Sequence, residues 1–283
     1  MSTMMTFKNN GLATFLTLAD INRMCPVAFK TEPTNPKVSN KYVQATTQDV
    51  VQDLSKLGWY PVEAKQCRTK KNSSGIRSFH MIAFQNPEVK ITKTLEDGTK
   101  VVDAYPRIIL TNSHDGFNSF KFMVGLFRLV CSNGLVLCDS QMVNMSIRHI
   151  NYDFDELRKI VATSIQQVPT IVNTMNQMRT IIPTEQQKIE LATEVLKLRK
   201  GDENLEVSNE VVKDILTPLR KEDEQNDLWT IFNICQEKMI KGGFKAENKK
   251  LKLRKQKGIT SIKKDLEFNQ SLWQKATQYL MCA

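Results

Sequence analysis

The sequence lacks a long apolar run. No stretch approaches the roughly 18 consecutive apolar residues of a membrane span, and the first 30 residues lack the basic start, apolar segment and cleavage site of a secretory signal. Glycine and proline are scarce as well, at 11 and 9 of 283 residues, which excludes fibrous and low-complexity proteins. We therefore expect a soluble, cytoplasmic, globular protein with no membrane partner.

The sequence is also poor in metal-binding patterns. It contains three histidines and six scattered cysteines with no C-x-x-C pair, whereas sequence-local zinc sites need such ligands a few positions apart. We predict reduced, mostly buried thiols, no metal and no cofactor. The cysteines are Cys25, Cys67, Cys131, Cys138, Cys235 and Cys282.

Positive charge is what the sequence has in excess, and one segment holds most of it. The formal net charge is +10, and residues 241–264 contain ten basic residues against a single acid, Glu247. Such a run binds phosphate backbones or acidic protein surfaces. Because few apolar residues interrupt it, we predict an exposed, mobile loop. Its candidate nucleic-acid-binding residues are Lys249, Lys250, Lys252, Arg254, Lys255 and Lys257.

Hydrophobic periodicity predicts an α+β fold with the strands in the first half of the chain. Apolar residues recur at helical spacing over 47–57, and alternating runs flank turn sequences in two β-hairpins. A second helix is predicted over 117–129, where Phe120, Val124 and Phe127 share a helical face. The predicted strands are 59–68 and 77–84 for the first hairpin, 89–95 and 99–102 for the second, then 107–110, 135–138 and 142–150.

From residue 153 the pattern is helical. Capping residues and glycines predict helices over 153–181, from Thr184 to about 198, from Ser208, over 226–241, and after Ser261. We therefore divide the chain into three parts. These are an irregular N-terminal segment over 1–45, an α+β core with β-hairpins over 46–152, and a helical region over 153–283 that contains the basic loop at 241–264.

The first predicted hairpin combines basic and aromatic residues. Basic side chains follow a phosphate backbone, and aromatic faces stack bases without needing a particular sequence, which is the chemistry of single-strand binding. The alternative is that Trp59 and Phe79 are core residues and that the charges lie on a solvated turn. The candidate residues are Trp59, Tyr60, Lys65, Arg68, Lys70, Lys71, Arg77 and Phe79.

The pair His114-Asp115 is a second candidate, because adjacent His and Asp ligands occur in metal-dependent phosphohydrolases. Only two other histidines could complete such a site. The structural interpretation is a strand-to-helix turn in which Asp115 or Ser113 caps the next helix. In that case His114 and the backbone amides at the helix start could face a phosphate.

Two further patterns are compatible with an enzyme but do not identify a complete catalytic site. Cys131 lacks a nearby base for a nucleophile, so a buried thiol is the simpler interpretation. The triplets at Glu63 and Glu88, each with a lysine two positions later, occur in some nucleases, which also need an upstream acid such as Asp53. We therefore expect no enzyme activity and keep a metal-dependent nuclease as the weaker alternative.

Two blocks of sequence resemble a known family. The first is Leu110-Thr111-Asn112-Ser113-His114-Asp115-Gly116, continued by Arg128-Leu129-Val130-Cys131-Ser132-Asn133-Gly134. The second is Leu228-Trp229-Thr230-Ile231-Phe232-Asn233, followed by Gly242-Gly243 and by Asn269-Gln270-Ser271-Leu272-Trp273. They resemble the phage/plasmid-like family catalogued as domain of unknown function 932. The resemblance implies a gene carried by a phage, plasmid or integrated element in a bacterial cell, and it supplies no catalytic residues.

Together these features favour a protein that binds single-stranded DNA, with RNA as a possible substitute, and that promotes strand annealing in recombination or replication. A helix, β-hairpins and a basic loop also resemble the layout of single-strand annealing proteins, which work as oligomers, so we expect a homo-oligomer. The alternative is a non-enzymatic interaction protein whose basic segment docks on a host or phage protein.

Overall fold

The computed structural model describes residues 14–30, 46–67, 79–94, 97–114, 120–128, 134–137, 146–147, 153–247 and 253–282. It confirms the α+β class, with strands and helices in the first half and mostly helices in the second. The chain separates into two units, Met1–Val168 and Pro169–Ala283. No helix in the described ranges is long and apolar enough to cross a membrane.

An antiparallel sheet forms the centre of the first unit. Its strand order is β1-β2-β4-β5-β6, with β3 paired to β4 and β7 paired to β5. Both predicted hairpins are confirmed, and the predicted strand at 107–110 is part of the long β4. The strands are β1 (Tyr60–Gln66), β2 (His80–Gln85), β3 (Ile91–Thr94), β4 (Lys100–Asn112), β5 (Phe120–Arg128), β6 (Gly134–Leu137) and β7 (Ser146–Ile147).

The helix predicted over 117–129 is wrong, because this segment is the strand β5. Nearly every residue of β5 is buried, on both faces of the strand. A strand that is buried on both faces has an almost continuous apolar sequence, so it lacks the alternation of apolar and polar residues that normally indicates a strand. The spacing of Phe120, Val124 and Phe127 therefore matched a helix by coincidence.

The described part of the first unit also contains the α-helices α1 (Leu18–Met24), α2 (Thr47–Lys56) and α3 (Phe154–Thr180), the second half of α3 belonging to the second unit. Thr46 caps α2 by accepting the backbone N–H of Asp49. One face of the sheet packs with these helices into a single apolar core. The core includes Leu54, Trp59, Phe84, Leu110, Phe122 and Leu157.

The outer edge of β1 is covered by residues 14–30. The backbone N–H of Leu16 donates to the Pro61 carbonyl at 2.7 Å. Val27 N–H donates to Gln66 Oε1 at 3.2 Å, and the Cys25 thiol donates to the Lys65 carbonyl at 3.6 Å. Polar groups along this edge are therefore used within the chain.

The second unit contains four more helices in its described part, α4 (Glu185–Lys200), α5 (Asn209–Leu216), α6 (Leu228–Lys241) and α7 (Ile262–Cys282). The predicted cap at Thr184 is confirmed as a capping box with Gln187. Helix α6 is buried from Leu228 to Met239. Trp229, Phe232 and Trp273 pack their rings together with centroids 5.6–6.5 Å apart.

The prediction of a mobile loop over the basic segment is wrong for its described residues. Strands β8 (Gly242–Glu247) and β9 (Leu253–Lys257) form an antiparallel β-hairpin directly after α6. Residues 248–252 lie outside the described part of the chain. We call β8 and β9 the basic hairpin.

Candidate nucleic-acid interface

Glycines fix the basic hairpin to the end of α6. Gly242 has φ 72°, and a Cβ at this position would lie 2.6 Å from the carbonyl oxygen of Gln256. A Cβ on Gly258, just after β9, would meet the carbonyl oxygen of Ile240 at 2.7 Å. The backbone of the hairpin therefore lies in direct contact with the helix terminus, at a distance that only glycine allows.

The basic hairpin has an apolar inner face. Phe244 and Ala246 are 1% and 2% exposed, and strand β8 packs against α5 and α6. Because side chains alternate along a strand, Lys245 points to the opposite side. Burial of the inner face thus orients the lysines of the outer face toward solvent.

The outer face of the basic hairpin carries Lys245, Lys255 and Lys257, all exposed. Lys245 and Lys255 are direct cross-strand partners. Like charges opposite one another destabilise a sheet. None of these lysines forms an ion pair with a carboxylate among the described residues of either unit. Among the described side chains, this face is therefore positively charged without a carboxylate partner.

Asp214 contacts β8 but forms no ion pair with Lys245, Lys255 or Lys257. Asp214 Oδ2 accepts the backbone N–H of Lys245 at 2.6 Å, and its other oxygen lies 3.9 Å from Lys238 Nζ. The carboxylate therefore holds the backbone of β8 in place. The Lys245 ammonium remains available for an external anion.

The structure adds two cations that the sequence analysis missed, Arg199 and Lys200 at the end of α4. Arg199 donates to the carbonyl oxygens of Met239 at 3.3 Å and Lys257 at 3.4 Å, and Lys200 Nζ donates to Gln256 Oε1 at 2.6 Å. Burial, and then the charge of Arg199, lower the pKa of Lys200 from its ordinary value. The basic last turn of α4 was visible in the sequence, but its contact with residues more than 50 positions later was not.

Of the predicted basic residues in this segment, Arg254, Lys255 and Lys257 are exposed on β9. Arg254 is opposite Ala246, so it lies on the other side of the strand from Lys255. Seven other predicted basic residues, from both hairpins, lie outside the described residues: Arg68, Lys70, Lys71, Arg77, Lys249, Lys250 and Lys252.

The aromatic part of the predicted first hairpin is only partly exposed. Trp59 is 2% exposed and belongs to the core, so its predicted role as a base-stacking surface is corrected. Tyr60 is 38% exposed, and its ring centroid lies 5.0 Å from that of Phe15. Phe79 is half-buried, and Lys65 is exposed but pairs with Glu63.

A groove lies beside this aromatic pair in the first unit. It encloses about 420 Å³, and Phe15, Leu18, Val51, Lys56 and Tyr60 are among its lining residues. Tyr60 therefore remains the exposed ring of this hairpin that a nucleobase could reach.

His114 is fully buried at the end of β4, and the element that follows is the strand β5. The predicted helix start facing a phosphate is therefore corrected. Its ring lies 5.2 Å from that of His80, whose Nε2 is 2.8 Å from Thr47 Oγ1. Thr47 Oγ1 also accepts from Asn112 Nδ2 at 3.1 Å, so this polar cluster is part of the sheet-helix packing. Asp115 and Cys131 lie outside the described residues.

The possible nuclease residues are compensated by protein groups. Glu63 pairs with Lys65 and lies 3.7 Å from Arg107. Burial alone would raise the pKa of Glu63, but these two cations outweigh it and hold the pKa below its ordinary value. Asp53 pairs with Lys56 at 2.7 Å. Within the described ranges, no three His, Cys, Asp or Glu side chains are grouped so that they could hold a metal.

Sequence comparisons place these features in a family context. A family model described as "Domain of unknown function (DUF932)" matches residues 36–273. Two Escherichia coli (strain K12) proteins, "UPF0380 protein YafZ" and "UPF0380 protein YfjQ", are each 29% identical to the chain over 261 residues. Each alignment covers 91% of this chain and 89% of the relative. No solved structure gives a significant match.

Proposed function

The chain belongs to the family described as "Domain of unknown function (DUF932)", whose description assigns no activity, and we propose that it binds single-stranded nucleic acid through the basic hairpin. Binding requires no bond chemistry. In a phage or plasmid setting, an oligomer that holds strands with their bases presented would promote annealing during recombination or replication.

One observation carries the proposal. The cross-strand pair Lys245 and Lys255, with Lys257 on the same face, costs stability and has no carboxylate partner in the described part of the chain. An anion bound between these ammonium groups removes the repulsion. A surface of this kind therefore favours the bound state of a negatively charged ligand.

The spacing of the lysines favours a chain of phosphates over a single anion. Lys255 and Lys257 are two positions apart on β9, so their Cα atoms are separated by about 6.6 Å. Lys245 adds a third charge across the hairpin. Successive phosphates of a nucleic-acid backbone can contact such a row without any base being read, which makes binding independent of sequence.

Burial of α6 favours a single strand over a duplex. A helix that reads the major groove must expose one face to the bases, but α6, which leads into the basic hairpin, is buried from Leu228 to Met239. In the first unit, Tyr60 and Phe15 expose aromatic rings of the kind that stack unpaired bases.

The test is fluorescence anisotropy with a labelled oligonucleotide of mixed sequence, its duplex form and the equivalent RNA, each over a range of salt concentrations. We expect the single strand to bind more tightly than the duplex, with log affinity falling linearly against log salt. Equal affinity for the two forms, or no binding at low salt, contradicts the proposal. Incubation with divalent metal ions should leave the DNA uncut.

A second candidate is docking on an acidic protein surface, which one feature favours. Leu253 is 37% exposed on the same face as Lys255, and protein interfaces combine apolar contacts with charge. Competition distinguishes the two candidates. A protein partner is supported if an acidic peptide binds while the oligonucleotide does not. In that case the affinity for the peptide should fall more on removal of its apolar residues than on addition of salt.

A further inference from the structure

The groove of the first unit brings exposed aromatic rings together. Among the Phe, Tyr and Trp side chains that the structure describes, Phe15 and Tyr60 are the two that are exposed, at 37% and 38%. Their ring centroids lie 5.0 Å apart, and the ring planes make an angle of 44°. The backbone N–H of Leu16 donates to the Pro61 carbonyl at 2.7 Å, which holds the two chain segments side by side. Both rings therefore border the same groove.

The inner wall of the groove is apolar and belongs to the folded core. Leu18, Val51 and Pro61 line it. Val51 is 3% exposed within the core, and Leu18 packs against that core. The volume of about 420 Å³ lies within the roughly 300–1,000 Å³ of small-molecule sites, which combine apolar walls with a few polar groups. The groove therefore offers a preformed apolar surface with room for a planar ring system.

Helix α2 supplies the polar groups of the groove. Gln52, Ser55 and Lys56 line it together, because residues three and four positions apart share a helix face. Lys56 Nζ pairs with Asp53 Oδ1 at 2.7 Å, and the Ser55 hydroxyl donates to the Val51 carbonyl at 2.8 Å. The amide of Gln52 forms no hydrogen bond with a described residue. The groove thus presents an uncharged donor and acceptor rather than a cation without a partner.

These features match the chemistry of an unpaired nucleobase. A base has flat faces that stack on aromatic side chains. Its edge carries hydrogen-bonding groups, and a glutamine amide matches the N6 donor and N7 acceptor of adenine. A phosphate or carboxylate would instead need a cation that is free to pair with it, and an aliphatic side chain would make no use of the Gln52 amide. Adenine is therefore the ligand that uses both the rings and the amide.

We propose that the groove binds one unpaired adenine base of a nucleic-acid strand, with the base stacked on Tyr60 and its edge bonded to Gln52. The inference rests on the proposed function, since the base belongs to the bound strand. It adds a base preference that the lysines of the basic hairpin do not supply, because phosphate contacts carry no sequence information. Gln52 is then a specificity-determining residue.

The first part of the test compares strands by fluorescence anisotropy with the full chain. Single strands of deoxyadenosine and of thymidine, equal in length, are titrated at the same salt concentration. We expect the deoxyadenosine strand to bind about 10-fold more tightly. Gln52→Leu should remove this preference, and Tyr60→Leu should weaken binding of the deoxyadenosine strand by about 10-fold. The matched control is Tyr279→Leu, a half-buried tyrosine of the second unit, which should change neither affinity.

The second part of the test needs neither a strand nor the basic hairpin. Saturation-transfer NMR is recorded with adenosine, thymidine and N-acetylphenylalanine amide on the full chain carrying Lys245→Gln, Lys255→Gln and Lys257→Gln. We expect the strongest transfer to the protons of the adenine ring. Adding Tyr60→Leu to the same chain should remove that transfer, and adding Gln52→Leu should reduce it to the level of thymidine.

The two parts separate this inference from the proposed function. Strands that bind with equal affinity, together with adenosine that gives no transfer, overturn the inference and leave the proposed function standing. Adenosine that binds while neither strand does overturns the proposed function and the strand as the source of the base, which makes the groove a site for a free nucleotide. An adenine preference that survives Gln52→Leu also overturns the inference. Stronger transfer to N-acetylphenylalanine amide than to adenosine overturns it in favour of a peptide side chain.

Discussion

Replacing Lys245, Lys255 and Lys257 with glutamine should weaken nucleic-acid binding while leaving the second unit folded. If each lysine neutralises one phosphate of a single strand, the slope of log affinity against log salt should become shallower by about 2. If the phosphate contacts contribute nothing near 1 M salt, a slope change of about 2 over one decade of salt makes binding about 100-fold weaker at 0.1 M. This loss corresponds to about 2.8 kcal/mol of binding free energy. Stability should stay equal or rise by about 0.2–1 kcal/mol, because the Lys245 and Lys255 charges no longer repel each other across the hairpin.

The assay combines anisotropy titrations at several salt concentrations with thermal unfolding followed by circular dichroism. A matched control replaces three other exposed lysines of the same unit, Lys221, Lys263 and Lys264, so that the net charge changes equally. An equal loss of affinity in the control would show that binding responds to net charge alone. An unchanged salt slope in the hairpin variant would refute the assignment of phosphate contacts, and a large loss of stability would refute the assignment of the lysines to the solvent face.

Three other predictions concern the folded state. Trp59→Ala should lower the free energy of unfolding by about 3–5 kcal/mol, because the ring is in the core. Tyr60→Ala should leave the free energy of unfolding nearly unchanged and weaken single-strand binding. The opposite pattern in melting and anisotropy would contradict the placement of Trp59 in the core and of Tyr60 on the surface. Gly242→Ala should destabilise the second unit by about 1–3 kcal/mol, since its φ of 72° and the backbone of Gln256 exclude a Cβ, and an unchanged melting temperature would refute this. Burial raises the pKa of the Cys25 and Cys235 thiols from 9.0 to about 12. Iodoacetamide should therefore label neither thiol at neutral pH unless the protein unfolds. The stability that the protonated thiols provide is complete below pH 9 and should decline as the pH rises toward 12. Rapid labelling of the native protein would contradict both statements.

Local chemistry determined the parts of the fold that were predictable from sequence. The capping box of Thr184 and Gln187 involves residues three positions apart, and the Asp-Gly turn between β3 and β4 needs only its own neighbours. The exposure of Arg254, Lys255 and Lys257 likewise follows from the lack of apolar residues around them. Such features depend on short stretches of chain, so a sequence contains all the information required to identify them.

The parts that were missed depend on distant residues. Strand β5 was mistaken for a helix because neighbouring structure buries both of its faces. The basic hairpin is ordered by Asp214, Arg199 and Lys200, which bond to it from helices 30 or more residues away along the chain. Trp59 and Tyr60 are adjacent in sequence, but only the ring of Trp59 points into the core. Which of the two rings is buried depends on how the start of β1 packs against α2.

The cover over the outer edge of β1 also determines how fragments of this protein should be designed. An open edge strand is a template that recruits strands from other molecules and so promotes aggregation. Here the backbone N–H groups of Leu16 and Val27, with the thiol of Cys25, bond to groups along that edge. A fragment beginning after residue 30 would leave β1 open and would also remove Ile21, Cys25 and Ala28 from the apolar core, so precipitation of such a fragment would follow from the position of the cut.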